Sequence, residues 1–154
     1  MKIKSEQEMF EFGIKFAQQM GPAALSSPVL AELRAGVPLQ ARHPSVIELI
    51  GDVGVGKTTF VRGLAKGLGI KEPVTSPSFT ISKSYACPDG RQLIHYDFYR
   101  LPEPGLMVED LTENLENPNN VVVIEWGESV ADLLPENHKK VEIVYNDEGR
   151  EVIV

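Results

Sequence analysis

The segment Gly51-Asp52-Val53-Gly54-Val55-Gly56-Lys57-Thr58 restricts this chain more than any other part of it. A glycine, four residues and then Gly-Lys-Thr is the spacing of a loop that wraps a phosphate chain in backbone N–H groups, and such a loop needs a strand before it and a helix after it. Both are legible. Val46-Ile47-Glu48-Leu49-Ile50 reads as a buried strand, and Phe60, Val61, Leu64, Ala65 and Leu68 recur at helical spacing until Gly69. The glycines let the backbone curl so that successive N–H groups, from Asp52 through Val53, Gly54, Val55 and Gly56 to Thr59, face one polyanion. Lys57 is placed to reach the β- and γ-phosphates, and the Thr58 hydroxyl to ligate Mg²⁺.

The flanking sequence extends this unit into an α/β domain. Ser5 and Glu8 have capping-box spacing, and Met9, Phe12, Phe16 and Met20 follow at helical intervals until Gly21-Pro22. Residues 21–44, rich in Pro, Ala and Ser, read as an inserted connection with one short helix between Ser27-Pro28 and Gly36. Thr80 to Tyr85 and Gln92 to Phe98 are extended and joined by Cys87-Pro88-Asp89-Gly90, which has hairpin chemistry. Leu106 to Leu115 and Ser129 to Leu134 read as helices, and Val121-Val122-Val123-Ile124 as a central strand. Val141 to Tyr145 and Glu151 to Val154 flank a turn at Asp147-Glu148-Gly149-Arg150. The pattern predicts one P-loop domain over residues 1–154, with a mostly parallel central sheet, antiparallel additions and flanking helices.

A P-loop also requires an acidic side chain at the end of a neighbouring strand to hold the magnesium. Glu125 follows the Val121–Ile124 strand directly, at the C-terminal edge where open α/β sheets place their ligands, and is the expected metal ligand beside Thr58. Asp97, in His95-Tyr96-Asp97-Phe98-Tyr99-Arg100, is expected to orient water or join the metal's water shell. Lys57, Asp97 and Glu125 are therefore the expected catalytic set. The hydroxyl-rich run Thr75-Ser76-Pro77-Ser78-Phe79-Thr80 suits a loop that senses the γ-phosphate as well as it suits a plain turn. Arg100 reads as a charge stabiliser or a structural residue, Trp126 as core packing, and His95 as a packed or hydrogen-bonded strand residue.

A net charge of −7 argues against a broad nucleic-acid surface, which rests on basic patches that release counterions. Cys87 stands alone, so no intrachain disulfide forms, in keeping with a reducing cytoplasm. No apolar run approaches the roughly 18 residues of a membrane span, and no signal peptide is read. The Asn-Lys-x-Asp run of guanine-specific switches is missing, which favours ATP. A small-molecule or nucleoside kinase with Asp97 as base is the main alternative, although no arginine-bearing lid follows Glu125. A nucleotide-gated binding module with incidental hydrolysis is a third.

Four motifs in series, Gly51 to Phe60, Thr75 to Thr80, His95 to Arg100 and Ile124-Glu125-Trp126, resemble the TsaE family, ATPase subunits of the bacterial machinery that makes threonylcarbamoyladenosine at tRNA position 37. The likeness runs from about Ile47 to the C-terminus. It implies a Mg²⁺-dependent ATPase that resets a TsaD–TsaB assembly and meets tRNA only through that assembly. It also implies that Thr58 and Glu125 bind magnesium, that Asp97 and the Thr75–Thr80 loop respond to nucleotide, and that Glu6 and Arg150 lie near the base or ribose. The chain departs from the family pattern in its long 21–44 connection, in Ser78 where threonine is common, and in Gly127 where proline is more familiar.

Overall fold

The computed structural model describes residues 1–20 and 44–154. Seven strands, β1 (Lys2–Ile3), β2 (Ser45–Ile50), β3 (Ser82–Ala86), β4 (Gln92–Asp97), β5 (Asn120–Glu125), β6 (Lys139–Asn146) and β7 (Gly149–Ile153), form one sheet in the order β1-β7-β6-β2-β5-β4-β3. The four inner strands β6, β2, β5 and β4 are parallel, while β3, β7 and β1 add antiparallel edges. The α/β class and the parallel core with antiparallel additions are as the sequence predicts.

Helices α1 (Glu6–Gln19) and α2 (Lys57–Gly67) contribute to one core cluster, and α3 (Met107–Glu116) with a 3-10 helix (Gly127–Leu133) to the other. The strands sort their side chains by alternation. Leu93, Val121, Val123, Ile47 and Leu49 join Phe60, Val61 and Leu64 of α2, whereas Ile94, Tyr96, Val122 and Ile124 join Leu111 of α3 and Val130. All six residues of β5 are buried, as expected of a strand covered on both faces.

Ser5 caps α1 by accepting from the Glu8 N–H at 3.1 Å, while the Glu8 carboxylate reaches back to the Lys4 N–H at 2.7 Å. Across from α1, α2 is packed so tightly that a Cβ at Gly63 would lie 2.0 Å from the Phe10 carbonyl oxygen. Phe12 and Phe16 of α1 lie 5.5 and 5.4 Å from Phe60 of α2 between ring centroids. On the other face the Tyr96 hydroxyl donates to Asp110 at 2.5 Å and accepts from Asn114 at 2.8 Å, fastening α3 to β4. Burial, and then Asp110, push that phenol above its ordinary range.

Several boundaries differ from the sequence reading. The strand expected from Thr80 begins only at Ser82, because the Thr80 and Ile81 N–H groups both bond to the Pro77 carbonyl, at 2.8 and 2.7 Å, and Ile81 turns the chain with φ of 64°. The helix expected from Ser129 to Leu134 is a 3-10 helix starting at Gly127, entered through Trp126 at φ 58°. The expected turn at 147–150 is tighter, since Gly149 and Arg150 already pair with Asn146 and Tyr145. Two-residue β1 is too short to carry a pattern and was not foreseen. The expected connection, apart from Pro44, lies outside the described residues.

Candidate nucleotide site

The C-terminal ends of β2, β4 and β5 meet at one edge of the sheet, and the chain turns from β2 into the glycine loop at Gly51. Gly54 and Gly56 take φ of 80° and 118°, a region costly for any residue with a Cβ, and this reversal brings the loop to the first turn of α2. Gly56 is the N-cap and has no side chain to satisfy the helix N–H groups, which leaves them for an anion. A Cβ at Gly54 would find only the Tyr145 hydroxyl nearby, at 3.6 Å, so backbone conformation rather than crowding demands glycine there.

Lys57 is buried, and its ammonium donates to the carbonyls of Gly51 at 2.7 Å and Asp52 at 3.1 Å. It also lies 3.7 Å from Glu125 Oε2 and 4.8 Å from the centre of the Trp126 ring. Three oxygens and a π-face thus hold the cation at the mouth of the loop. Trp126, read from sequence as core packing, does pack against the second core cluster, but it is only half-buried and also lines the cleft, with Tyr99 4.9 Å away between ring centroids. The lost clue is backbone conformation: with φ of 58°, Trp126 cannot continue the alternation of β5.

Asp97 and Glu125 are register partners on the parallel strands β4 and β5, so the two carboxylates stand side by side on the face covered by α2. Asp97 Oδ2 accepts from Ser78 Oγ at 2.5 Å and from Ser76 Oγ at 3.4 Å, and Oδ1 accepts from the Tyr99 N–H at 3.0 Å. Its own N–H donates to the Ile81 carbonyl at 2.8 Å. The 75–81 loop is therefore tied to Asp97 by side chain and by backbone. Glu125 Oε1 pairs at 2.8 Å with Nε2 of the fully buried His95. The sequence reading gave His95 no part in the chemistry; its two-residue spacing from Asp97 is the available clue.

Lys57, Ser76, Ser78, Asp97, Tyr99, Glu125 and Trp126 line a cleft of about 340 Å³, together with Val53, Thr58, Thr59 and Arg100, and His95 lies behind its wall. Arg100 packs over Phe79 at 4.6 Å rather than standing free in the cleft. A smaller cavity of about 200 Å³ shares Gly54, Gly56 and Thr59 with it and adds Glu6, Met9 and Arg150. There Thr59 Oγ1 donates to Glu6 at 3.3 Å, and Arg150 Nε is buried without a hydrogen-bond partner among the described residues. Asp52 is exposed and engages Lys57 through its carbonyl, while the Val55 side chain is wholly buried. Of the site residues expected from sequence, Glu6, Val53, Gly54, Gly56, Lys57, Thr58, Thr59, Asp97, Glu125 and Arg150 line one or other of these two cavities, whereas Asp52 and Val55 line neither.

The donor set fits the groups the loop implies. A hydroxyl and two carboxylates are hard oxygen ligands of the kind Mg²⁺ takes beside phosphate. The glycine cradle and the free helix N-terminus suit a triphosphate.

The family model described as "Threonylcarbamoyl adenosine biosynthesis protein TsaE" matches residues 3–152. A Haemophilus influenzae protein named tRNA threonylcarbamoyladenosine biosynthesis protein TsaE is 31% identical over 150 residues, covering 97% of this chain and 84% of that protein. A Nostoc protein of the same name is 46% identical over 110 residues, covering 68% of this chain and 65% of its own length. A crystal structure of Bacillus subtilis YdiB superposes with a TM-score of 0.64 at 26% identity, over 96% of this chain and 78% of that one. With its P-loop, paired carboxylates and sheet order in place, the chain belongs to the TsaE family of tRNA threonylcarbamoyladenosine biosynthesis.

Proposed function

We propose that this protein is a Mg²⁺-dependent ATPase that supports threonylcarbamoylation of tRNA position 37 by acting on a TsaD–TsaB assembly. The observation that carries this reading is the convergence of Lys57, Thr58, Asp97 and Glu125 on one cleft beneath a loop bonded to Asp97. The loop N–H groups and the α2 N-terminus bind the phosphates, and Lys57 exchanges its carbonyl partners for β- and γ-phosphate oxygens. Thr58 and Glu125 hold the metal, which when bound neutralises phosphate charge. Asp97 positions the attacking water. Glu6 and Arg150 flank the base or ribose in the smaller cavity.

Ser76 and Ser78 lie on Asp97, so any shift of that carboxylate toward the metal's water shell changes their bonds and moves the 75–81 loop. Phe79 at its tip is 84% exposed, far more than core apolar residues, and suits the loop for reporting nucleotide state to a partner. A kinase fits less well, because Arg150 is the one arginine in the sequence after Glu125, where small-molecule kinases carry an arginine-bearing lid. With Arg100 placed on Phe79, no arginine among the described residues is committed as a finger, and slow turnover alone with marked stimulation by TsaD–TsaB is expected.

The test is phosphate release with and without the TsaD–TsaB pair, beside a transfer screen on nucleosides and small acceptors. Stimulation by the pair supports the reading. Full activity alone with a phosphorylated acceptor would replace it with a kinase. Nucleotide-dependent docking with negligible hydrolysis would replace it with a gated binding module.

A further inference from the structure

We propose that His95 is a positioning residue for Glu125, fixing which carboxylate oxygen faces the metal; the inference rests on the magnesium–nucleotide reading of the cleft. His95 lies in β4 two residues before Asp97, opposite Val123 of β5, and is fully buried. Alternation puts His95, Asp97, Val123 and Glu125 on the same face of the sheet. Nε2 is 2.8 Å from Glu125 Oε1, and a carboxylate oxygen only accepts, so Nε2 carries the hydrogen and donates it. Nδ1 is buried with no hydrogen-bond partner among the described residues.

That half-satisfied ring argues against a packing role. The neighbouring strand positions on this face, Leu93, Val121 and Val123, are apolar and fill the same core without desolvating a polar atom. An imidazole here sacrifices the hydration of Nδ1 to make one bond, and the bond is to the carboxylate at the cleft. Its effect is directional. With Oε1 held from below, Oε2 is the oxygen turned toward Lys57, 3.7 Å away, and toward the cleft that Thr58 also lines. Groups behind a metal ligand set its orientation and affinity in this way.

The test compares His95→Gln, His95→Asn and His95→Leu. The Gln amide nitrogen is as many bonds from Cα as Nε2 and can donate to Glu125, the Asn amide nitrogen reaches only the Nδ1 position, and Leu donates nothing. Mn²⁺ binding in the presence of ADP is followed by electron paramagnetic resonance, with ADP affinity in EDTA as the metal-free control and urea midpoints as the check on folding. His95→Gln is expected to hold Mn²⁺ within about threefold of the parent, and His95→Asn and His95→Leu to weaken it by roughly 10-fold or more, with ADP affinity in EDTA unchanged. Should Leu fail to fold, the Gln–Asn pair still decides. Equal Mn²⁺ affinity across the variants, or a Gln variant as weak as Leu, overturns the role of His95. Absence of ADP-dependent Mn²⁺ binding in the parent protein would instead overturn the reading of the cleft beneath it.

Discussion

Replacing Gly63 with Ala sets two physical effects of opposite sign against each other. By helix propensity alone the change stabilises α2 by about 1 kcal/mol. Against this, the new Cβ would lie 2.0 Å from the Phe10 carbonyl oxygen and 2.9 Å from its carbon, where a carbon–oxygen contact needs roughly 3.3 Å. The obstacle is backbone, which cannot rotate away, so α1 must retreat by about 1 Å. That retreat loosens the contacts of Phe12 and Phe16 with Phe60. Overpacking of this kind costs about 3 kcal/mol, leaving a net loss of roughly 2 kcal/mol and a fall in Tm of about 4–8 °C for a chain of this size. Because α1 carries Glu6 and Met9 into the smaller cavity, nucleotide affinity should weaken as well. The corresponding approaches to a backbone carbonyl oxygen are 2.3 Å for Gly13, to Phe60, and 2.8 Å for Gly67, to Ile14, so the expected order of damage from alanine is Gly63, Gly13, Gly67. Thermal unfolding of the three variants checks it. An unchanged or raised Tm for Gly63→Ala would refute the close α1–α2 approach.

Lys57→Ala is expected to weaken ATP binding by roughly 10- to 100-fold in calorimetric titration, the worth of a charge-assisted contact to phosphate, in a chain that remains folded. Glu125→Gln should impair Mg²⁺-dependent hydrolysis more than nucleotide binding, and Asp97→Asn should slow turnover with a smaller effect on metal affinity; the reverse pattern would exchange their roles. Arg150→Ala should weaken ADP while leaving tripolyphosphate affinity unchanged, since Arg150 lines the smaller cavity and not the main cleft; titration of both ligands compares them. Burial, and then Asp89, raise the Cys87 thiol above its ordinary value of 9.0, so alkylation at pH 8 should be much slower in the folded chain than in urea. The same shift means that the contribution of Cys87 to stability is complete below that value and is lost as pH rises through the higher folded one, which urea melts above pH 9 would follow.

Elements whose physics is local were legible in consecutive residues. A phosphate loop is written in consecutive residues, because its glycines, lysine and threonine act through one curl of backbone, and Gly51 to Thr58 therefore declared both a site and the strand and helix around it. Ser5 and Glu8 declared the start of α1, and the unbroken apolar run before Glu125 declared a strand buried on both faces with a carboxylate at its end. Tertiary structure decided what depends on register and on torsion angles. Asp97 stands beside Glu125 only because β4 and β5 pair in parallel at that register, and His95 reaches Glu125 across 30 positions of sequence for the same reason. The left-handed turns at Ile81 and Trp126 shortened one strand and moved one helix, and neither residue type announces such a conformation. Arg150 came to share a cavity with Glu6 and the glycine loop only because β7, packed beside β6, carried it to α1, a meeting of segments that no local pattern encodes.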